Sequence, residues 1–178
     1  MTHSQLDYKI AKFIHAAEVT EVCKMFHAES YQRFANFNFD QMHEWIEERI
    51  DNDDSDIFTA WDGNTLVGCL VGMVYYYPYS NTLVAADYIW YVIPKYRGGM
   101  IGVRLMKMFE EWAKGVGAVS VTTGSTSGIK SERGAKLLQR LGYNPIGMVM
   151  EKELVYWVGF VEVAVQQQRL RKYQRLVR

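Results

Sequence analysis

Cysteine is nearly absent: Cys23 and Cys69 are the two thiols in 178 residues. Two isolated cysteines without ligand spacing exclude a disulfide framework and a thiolate metal site. Histidine is sparse as well, and His15, His27 and His43 are scattered without a metal pattern. They read as surface or helix-end residues, and no metal is expected. No stretch approaches the roughly 20 apolar residues of a membrane span; the nearest, Val155–Val165, is short and contains Glu162. The opening segment MTHSQLDYKIAKF has no apolar run of the signal-peptide kind, so the expected location is cytoplasmic and no membrane partner is expected. Net charge is absent too, with 20 basic and 20 acidic side chains. Whole-molecule attraction to nucleic acid is therefore not implied. Repeats and low-complexity tracts are missing.

What is present is an apolar fraction of 49%, enough to fill a core. The length suits one domain. We expect that domain over residues 1–160, followed by a basic helical tail over 161–178 that packs on it or extends it. Charge is unevenly placed. Residues 40–56 carry eight acids against the one base Arg49, and the last thirteen residues carry five bases and no acid. In the tail, Arg169, Arg171, Arg175 and Arg178 with Leu170, Tyr173 and Leu176 suggest an amphipathic helix. It packs on the domain, pairs with a second copy in a homodimer, or serves as a nucleic-acid arm; the last is the least expected.

The periodicities alternate between strand and helix. A strand is expected at Tyr8–Ile14 and helices at Ala17–Ala28 and Asp40–Ile50. A hairpin follows from Ile57–Trp61 and Leu66–Tyr76, joined by Asp62-Gly63-Asn64, where glycine supplies the positive φ that such turns need. Ala85–Ile93 reads as a core strand stopped by Pro94, and residues 101–116 as a helix. Ala118–Thr123 reads as a strand. Ser131 reads as the N-cap of a helix that ends at Leu141-Gly142, and Met148–Trp157 as a last strand.

The segment Tyr91–Val103, YVIPKYRGGMIGV, carries the chemistry. A strand runs into a basic, glycine-rich turn and then a helix, which points several backbone N–H groups and a positive helix end toward one place. Glycine matters there because a Cβ keeps the backbone from closing on phosphate oxygens. No G-x-x-x-x-G-K-[ST] run and no G-x-G-x-x-G after the first strand are present, which argues against a P-loop and against a dinucleotide fold.

This run resembles the acetyl-CoA motif of the GNAT N-acetyltransferases, [QR]-x-x-G-x-[GA], with Arg97 at its first position and Gly102 at its last. Ser131-Glu132-Arg133-Gly134 through Leu141-Gly142-Tyr143 is similar to the family's N-x-x-A…Y-E-K-L-G-F helix, and Val149-Met150-Glu151-Lys152 to its closing strand. The resemblance implies a mixed α+β fold, mostly antiparallel, with six or seven strands flanked by about four helices. It implies acetyl-CoA as co-substrate. Backbone groups near Tyr91, Val92 and Ile93 would pair with the pantetheine arm. The amides of Arg97, Gly98, Gly99, Met100, Ile101, Gly102 and Val103 would hold the pyrophosphate, with Ser131 nearby on the following helix. An amine would then attack the thioester directly, after losing its proton to a carboxylate.

Asp87, on the strand where the family often keeps its base, is the candidate for that carboxylate, and Glu29 is the fallback. A surface role for Asp87 is the alternative, since one residue of register turns it away. Two positions depart from the family pattern. Met100 stands where it has its middle glycine, and Leu138 where many members place a tyrosine that protonates the thiolate. A GNAT-like module without activity is therefore a second reading. Tyr75, Tyr76, Tyr77 and Tyr79 either wall an acceptor pocket or shield a sheet edge. The acids from Glu44 to Asp56 either border the acceptor side of the cleft, which implies a cationic acceptor, or form a solvated helix face.

Overall fold

Val19, Val22 and Cys23 recur at helical spacing, and the computed structural model of the chain buries all three against one face of a five-stranded sheet. The structure describes residues 6–30, 36–124, 127–129 and 131–150. By their contacts the residues form two compact units, 1–144 and 145–178. All the elements below belong to the first. In the second, residues 145–150 form neither helix nor strand. The strand expected from Met148 is thus not formed over Met148–Met150. Its remainder and the expected tail helix lie outside the described residues.

The elements follow in the order β1 Asp7–Ile10, α1 Ala16–Glu29, α2 Phe39–Asp51, β2 Ser55–Asp62, β3 Thr65–Tyr76, β4 Leu83–Val92, α3 Ile101–Gly115, β5 Val121–Thr122 and α4 Ser131–Arg140. Strand order equals chain order; β1 to β4 are antiparallel, and β5 joins β4 in parallel after the α3 crossover. The mixed α+β class with four helices is as expected. The sheet has five described strands rather than six or seven, and β5 is far shorter than Ala118–Thr123. The first strand ends at Ile10, not Ile14, because Phe13–His15 turn into a short 3-10 helix leading to α1. At the β2–β3 hairpin Gly63 has φ +59, the left-handed conformation that its turn requires. The Asn38 side chain caps α2 by accepting from the Gln41 amide at 3.1 Å, which satisfies one of the orphan donors of that helix start.

The sheet separates two cores. Ile57, Cys69, Val71 and Ile89 pack under α1 and α2; Phe58, Leu70 and Ala85 pack against Leu105 and Phe109 of α3. Two irregularities break the alternation of faces. One sets the face of Asp87: Val71 pairs with Ile89 while Gly72 pairs with Asp87, so Tyr88 is an extra residue in β4. Such a bulge places two successive side chains on one face and inverts the strand before it. Tyr88, its ring 5.2 Å from that of Trp45 in α2, and Ile89 both face the α1–α2 side. Ala85 and Asp87 consequently face α3. Gly72 leaves room for this arrangement, since a Cβ there would meet the Phe109 ring at 2.5 Å.

Candidate active site

The parallel pairing of β4 with β5 is brief, Ala85 opposite Val121 and Ala86 opposite Thr122. Beyond it the strands part, and a cleft of about 400 Å³ opens between them, a size typical of small-molecule sites. Trp90, Tyr91 and Val92 line one wall, Gly124, Ser127 and Ile129 the other. The turn after β4 (Tyr96, Arg97, Gly98, Gly99) and the first residues of α3 (Gly102, Val103) close one end, with Arg133, Gly134 and Leu137 of α4 beside them.

The turn is built for close backbone approach. Pro94–Tyr96 form a single 3-10 turn, Gly98 has φ +90, and α3 starts at Ile101 with Met100 as its N-cap. The Arg104 amide bonds the Met100 carbonyl at 2.9 Å, the first bond of the helix, so the amides of Ile101, Gly102 and Val103 have no intrahelical acceptor. Together with the helix dipole they form an anion cradle. Nothing lies within 4 Å of a Cβ built on Gly98 or Gly99. Met100 is 59% exposed, and its side chain makes no capping bond. Gly102 lets the Trp90 indole lie against the first turn of α3, where its Nε1–H donates to the Gly102 carbonyl at 3.2 Å.

Along β4 the Ile93 amide donates to Val67 O at 3.0 Å, so the polar groups of Ile93 face β3. By the alternation of an antiparallel ladder those of Tyr91 do too. Trp90 and Val92 are the residues whose backbone groups look into the cleft, and the Val92 carbonyl already accepts from Arg97 Nε at 2.7 Å. Of the three residues expected to expose backbone groups there, Val92 does so with its amide, joined by Trp90, while Tyr91 and Ile93 turn theirs to β3. The Arg97 guanidinium itself is turned to the end of α1, where Nη1 and Nη2 meet the two oxygens of Glu29.

Asp87 and Thr123 stand at the fork itself. Burial drives the Asp87 carboxyl up to about 6, against the Thr123 hydroxyl, its own amide and that of Gly124, which all favour the charged form. Asp87 is not in the cleft lining; it borders the cleft through Gly124. Thr123 Oγ1 is buried and lies near Asp87 without a hydrogen bond of good geometry. Tyr143 donates to Glu110 Oε1 at 2.7 Å, and its phenol is raised by burial, by Glu110 and by the charge of Asp87. Glu29, the fallback base, is occupied by Arg97 and by the Tyr91 hydroxyl at 2.9 Å.

Ser131 is the first residue of α4 rather than its cap, and it is not part of the cleft wall. Arg133, Gly134 and Leu137 take that place, on one helix face by their i, i+1, i+4 spacing. Leu138 is 7% exposed and belongs to the core under α3; Leu137, one residue earlier, is the one that faces the cleft. Tyr75 and Tyr76 at the end of β3 and Tyr77 and Tyr79 in the connection to β4 are all exposed. Of the acids from Glu44 on, Asp56 turns to Trp112 on the α3 side, its pKa raised by burial. Among the described residues, no group of three or more His, Cys, Asp or Glu side chains could hold a metal ion, and no helix is long and apolar enough to cross a membrane.

This fold recurs among solved structures. The chain is similar to an aminoglycoside N-acetyltransferase, AAC(6')-Iy, in complex with CoA: 15% identity, TM-score 0.69, covering 86% of this chain and 97% of that one. It is similar to a ribosomal-protein-alanine N-acetyltransferase from Brucella melitensis biovar Abortus 2308, at 13% identity and TM-score 0.63, covering 84% and 99%. A transcriptional regulator from Bacillus halodurans C-125 aligns at 14% identity and TM-score 0.70, covering 84% and 100%. No curated protein matches at the level of sequence. Residues 19–143 match the acetyltransferase (GNAT) family model, a span from α1 through Tyr143 that includes both walls of the cleft, and the chain belongs to that family.

Proposed function

We propose that the chain moves the acetyl group of acetyl-CoA to a primary amine on a cationic acceptor, a small molecule or a protein lysine or N-terminus, with Asp87 taking up the proton. Acetyl-CoA is the co-substrate of the family, and the residues present suit it. Orphan amides at Ile101–Val103 receive the pyrophosphate, the glycines before them leave space for it, and Arg133 adds a cation beside it. The Val92 amide and the Trp90 backbone groups offer strand-like bonds to the pantetheine arm.

The observation that carries the proposal is the position of Asp87 at the parting of β4 and β5, where an arm lying along β4 ends. An alkylammonium with pKa near 10.4 must lose its proton before attack. A carboxyl group poised near 6 is ionised at neutral pH, yet is a stronger base than an ordinary aspartate. Such a base acts directly or through one water. Structures named for aminoglycosides and for a ribosomal-protein alanine share this fold, which supports an amine as the acceptor.

The test is to incubate the protein with isotope-labelled acetyl-CoA and a panel of polyamines, aminoglycosides and basic peptides, and to read products by mass spectrometry. Label on a cationic amine, lost in Asp87→Asn, is the expected result. Label on neutral amines alone, or none, would reject the acceptor class.

A further inference from the structure

The side chain of Arg97 occupies the first motif position, yet its donors are engaged inside the protein. Of its five N–H groups, Nε donates to Val92 O at 2.7 Å and Nη2 to Glu29 Oε2 at 2.6 Å, while Nη1 meets Glu29 Oε1. The pair is two-pronged, the strongest and most orienting form of ion pair. The Tyr91 hydroxyl donates to Glu29 Oε2 at 2.9 Å, and the guanidinium carbon lies 5.0 Å from the Tyr91 ring centre. Phe26, one turn before Glu29, packs edge-on against the same ring.

Glu29 is the last residue of α1, where the helix dipole disfavours an anion. A carboxylate held there needs a cation, and Arg97 is that cation. The turn it leaves has little packing of its own: Gly98 and Gly99 face open space and Met100 is exposed. Two struts fix the stem of this turn. Tyr96 donates to Asp62 Oδ2 at 3.0 Å, at the end of β2, and Arg97 reaches the end of α1.

We propose that Glu29 is a positioning residue for the donor site: it holds Arg97 as a strut that sets the amide cradle of residues 98–103, and the guanidinium is not a ligand of the donor's phosphates. The proposal rests on the reading of that cradle as the acetyl-CoA site.

The two roles of Arg97 predict opposite signs for the loss of Glu29. Were the guanidinium a phosphate ligand, removal of a competing anion would release it and strengthen binding. As a strut it loses its anchor, and binding weakens. Calorimetric titration with acetyl-CoA, run on wild type, Glu29→Gln, Glu29→Ala, Arg97→Lys and Arg97→Gln, separates them. We expect affinity to fall about five- to ten-fold in the Glu29 variants, the order of one hydrogen bond's net contribution. Arg97→Lys should bind no better than Arg97→Gln, since lysine keeps the charge but not the fork. Amide exchange should accelerate at 98–103 and stay unchanged in the rest of α3, with the melting temperature nearly constant. Either folded Glu29 variant decides the sign. Unchanged or tighter binding in it, or recovery in Arg97→Lys, overturns the strut and leaves the donor site standing. Absence of acetyl-CoA binding in wild type overturns both.

Discussion

Asp87 pairs with Gly72 across β3 and β4, one residue before the bulge at Tyr88 and one residue past the last β4–β5 pair. That pairing turns its carboxylate toward α3 and brings it to the fork. Replacement by Asn should lower kcat/KM by roughly 10²-fold, as loss of a general base does, with acetyl-CoA affinity nearly intact. With Asp87 as the proposed base, the wild-type rate should rise with pH up to about 6 and then level, because the ionised form would be the active one. Stability should move the other way. A carboxyl whose pKa is raised from 3.8 to about 6 on folding binds more protons folded than unfolded between those values, so stability falls as pH rises through that window. Asp87→Asn should therefore melt higher than wild type at pH 7, with the gap closing by pH 4. An acidic limb unchanged in Asp87→Asn would clear Asp87 of the role.

Gly72 and Phe109 make a second prediction. A Cβ on Gly72 would meet ring carbons of Phe109 at 2.5 Å, with the Phe58 ring at 3.4 Å behind them. Both rings are fully buried, so neither moves aside freely. Gly72→Ala should cost about 1–3 kcal/mol, the usual penalty for overpacking a core, measurable as a lower urea midpoint. In a Phe109→Leu background the extra cost of Gly72→Ala should shrink markedly. Additive costs in the double variant would show that the ring is not what excludes the Cβ.

Much of this was legible in the sequence, and the rest was lost for identifiable reasons. The helix over 101–116, the Asp-Gly hairpin and the strand–glycine–helix turn are local patterns, and each fell within a few residues of its observed bounds. The bulge at Tyr88 is not local. It arises from how β4 meets β3, so the alternation within β4 alone leaves the face of Asp87 open. The same holds for α4, where a one-residue difference decides that Leu137 rather than Leu138 faces the cleft. The partnership of Glu29 with Arg97 spans 68 residues, and no periodicity reports it. Trp90 was readable only as a core residue, because its bond to Gly102 depends on the crossover.

Met100 offers a third test. Its backbone caps α3 while its side chain points outward and binds no amide. Aspartate there would place a carboxylate at the helix start, among the same orphan amides that receive an anion. Met100→Asp should keep or raise the melting temperature and yet weaken acetyl-CoA binding by about ten-fold or more, as an anion competing for the same amides would. Met100→Gly should keep or improve binding, since it removes a Cβ from the cradle. Undiminished affinity in Met100→Asp would mean that the phosphates do not use this helix end.

The acids at the end of α2 carry the last prediction. Asp51 closes α2, and Asp53 and Asp54 form the turn into β2; all three are exposed. The Asp54 carbonyl accepts from the Val74 amide at 2.8 Å, which fixes that turn to β3. The next residue, Ser55, pairs with Met73, and Met73 pairs with Ala86. The acidic turn therefore lies two strands across from β4, starting two residues beyond the row of Asp87, at the end of the sheet opposite the glycine-rich turn. On our proposal that end is the acceptor side, and negative charge there would concentrate cations and speed their arrival, an effect that salt weakens. With Asp51, Asp53 and Asp54 all changed to Asn, KM for a cationic amine should rise several-fold at low salt, and the difference should narrow at high salt. Acetyl-CoA affinity should not change, because the cradle lies at the other end. Asp56 is left in place, since its carboxyl faces Trp112 rather than the acceptor side. The same KM as wild type at every ionic strength would reduce the acidic run to a solvated surface and remove the argument for a cationic acceptor.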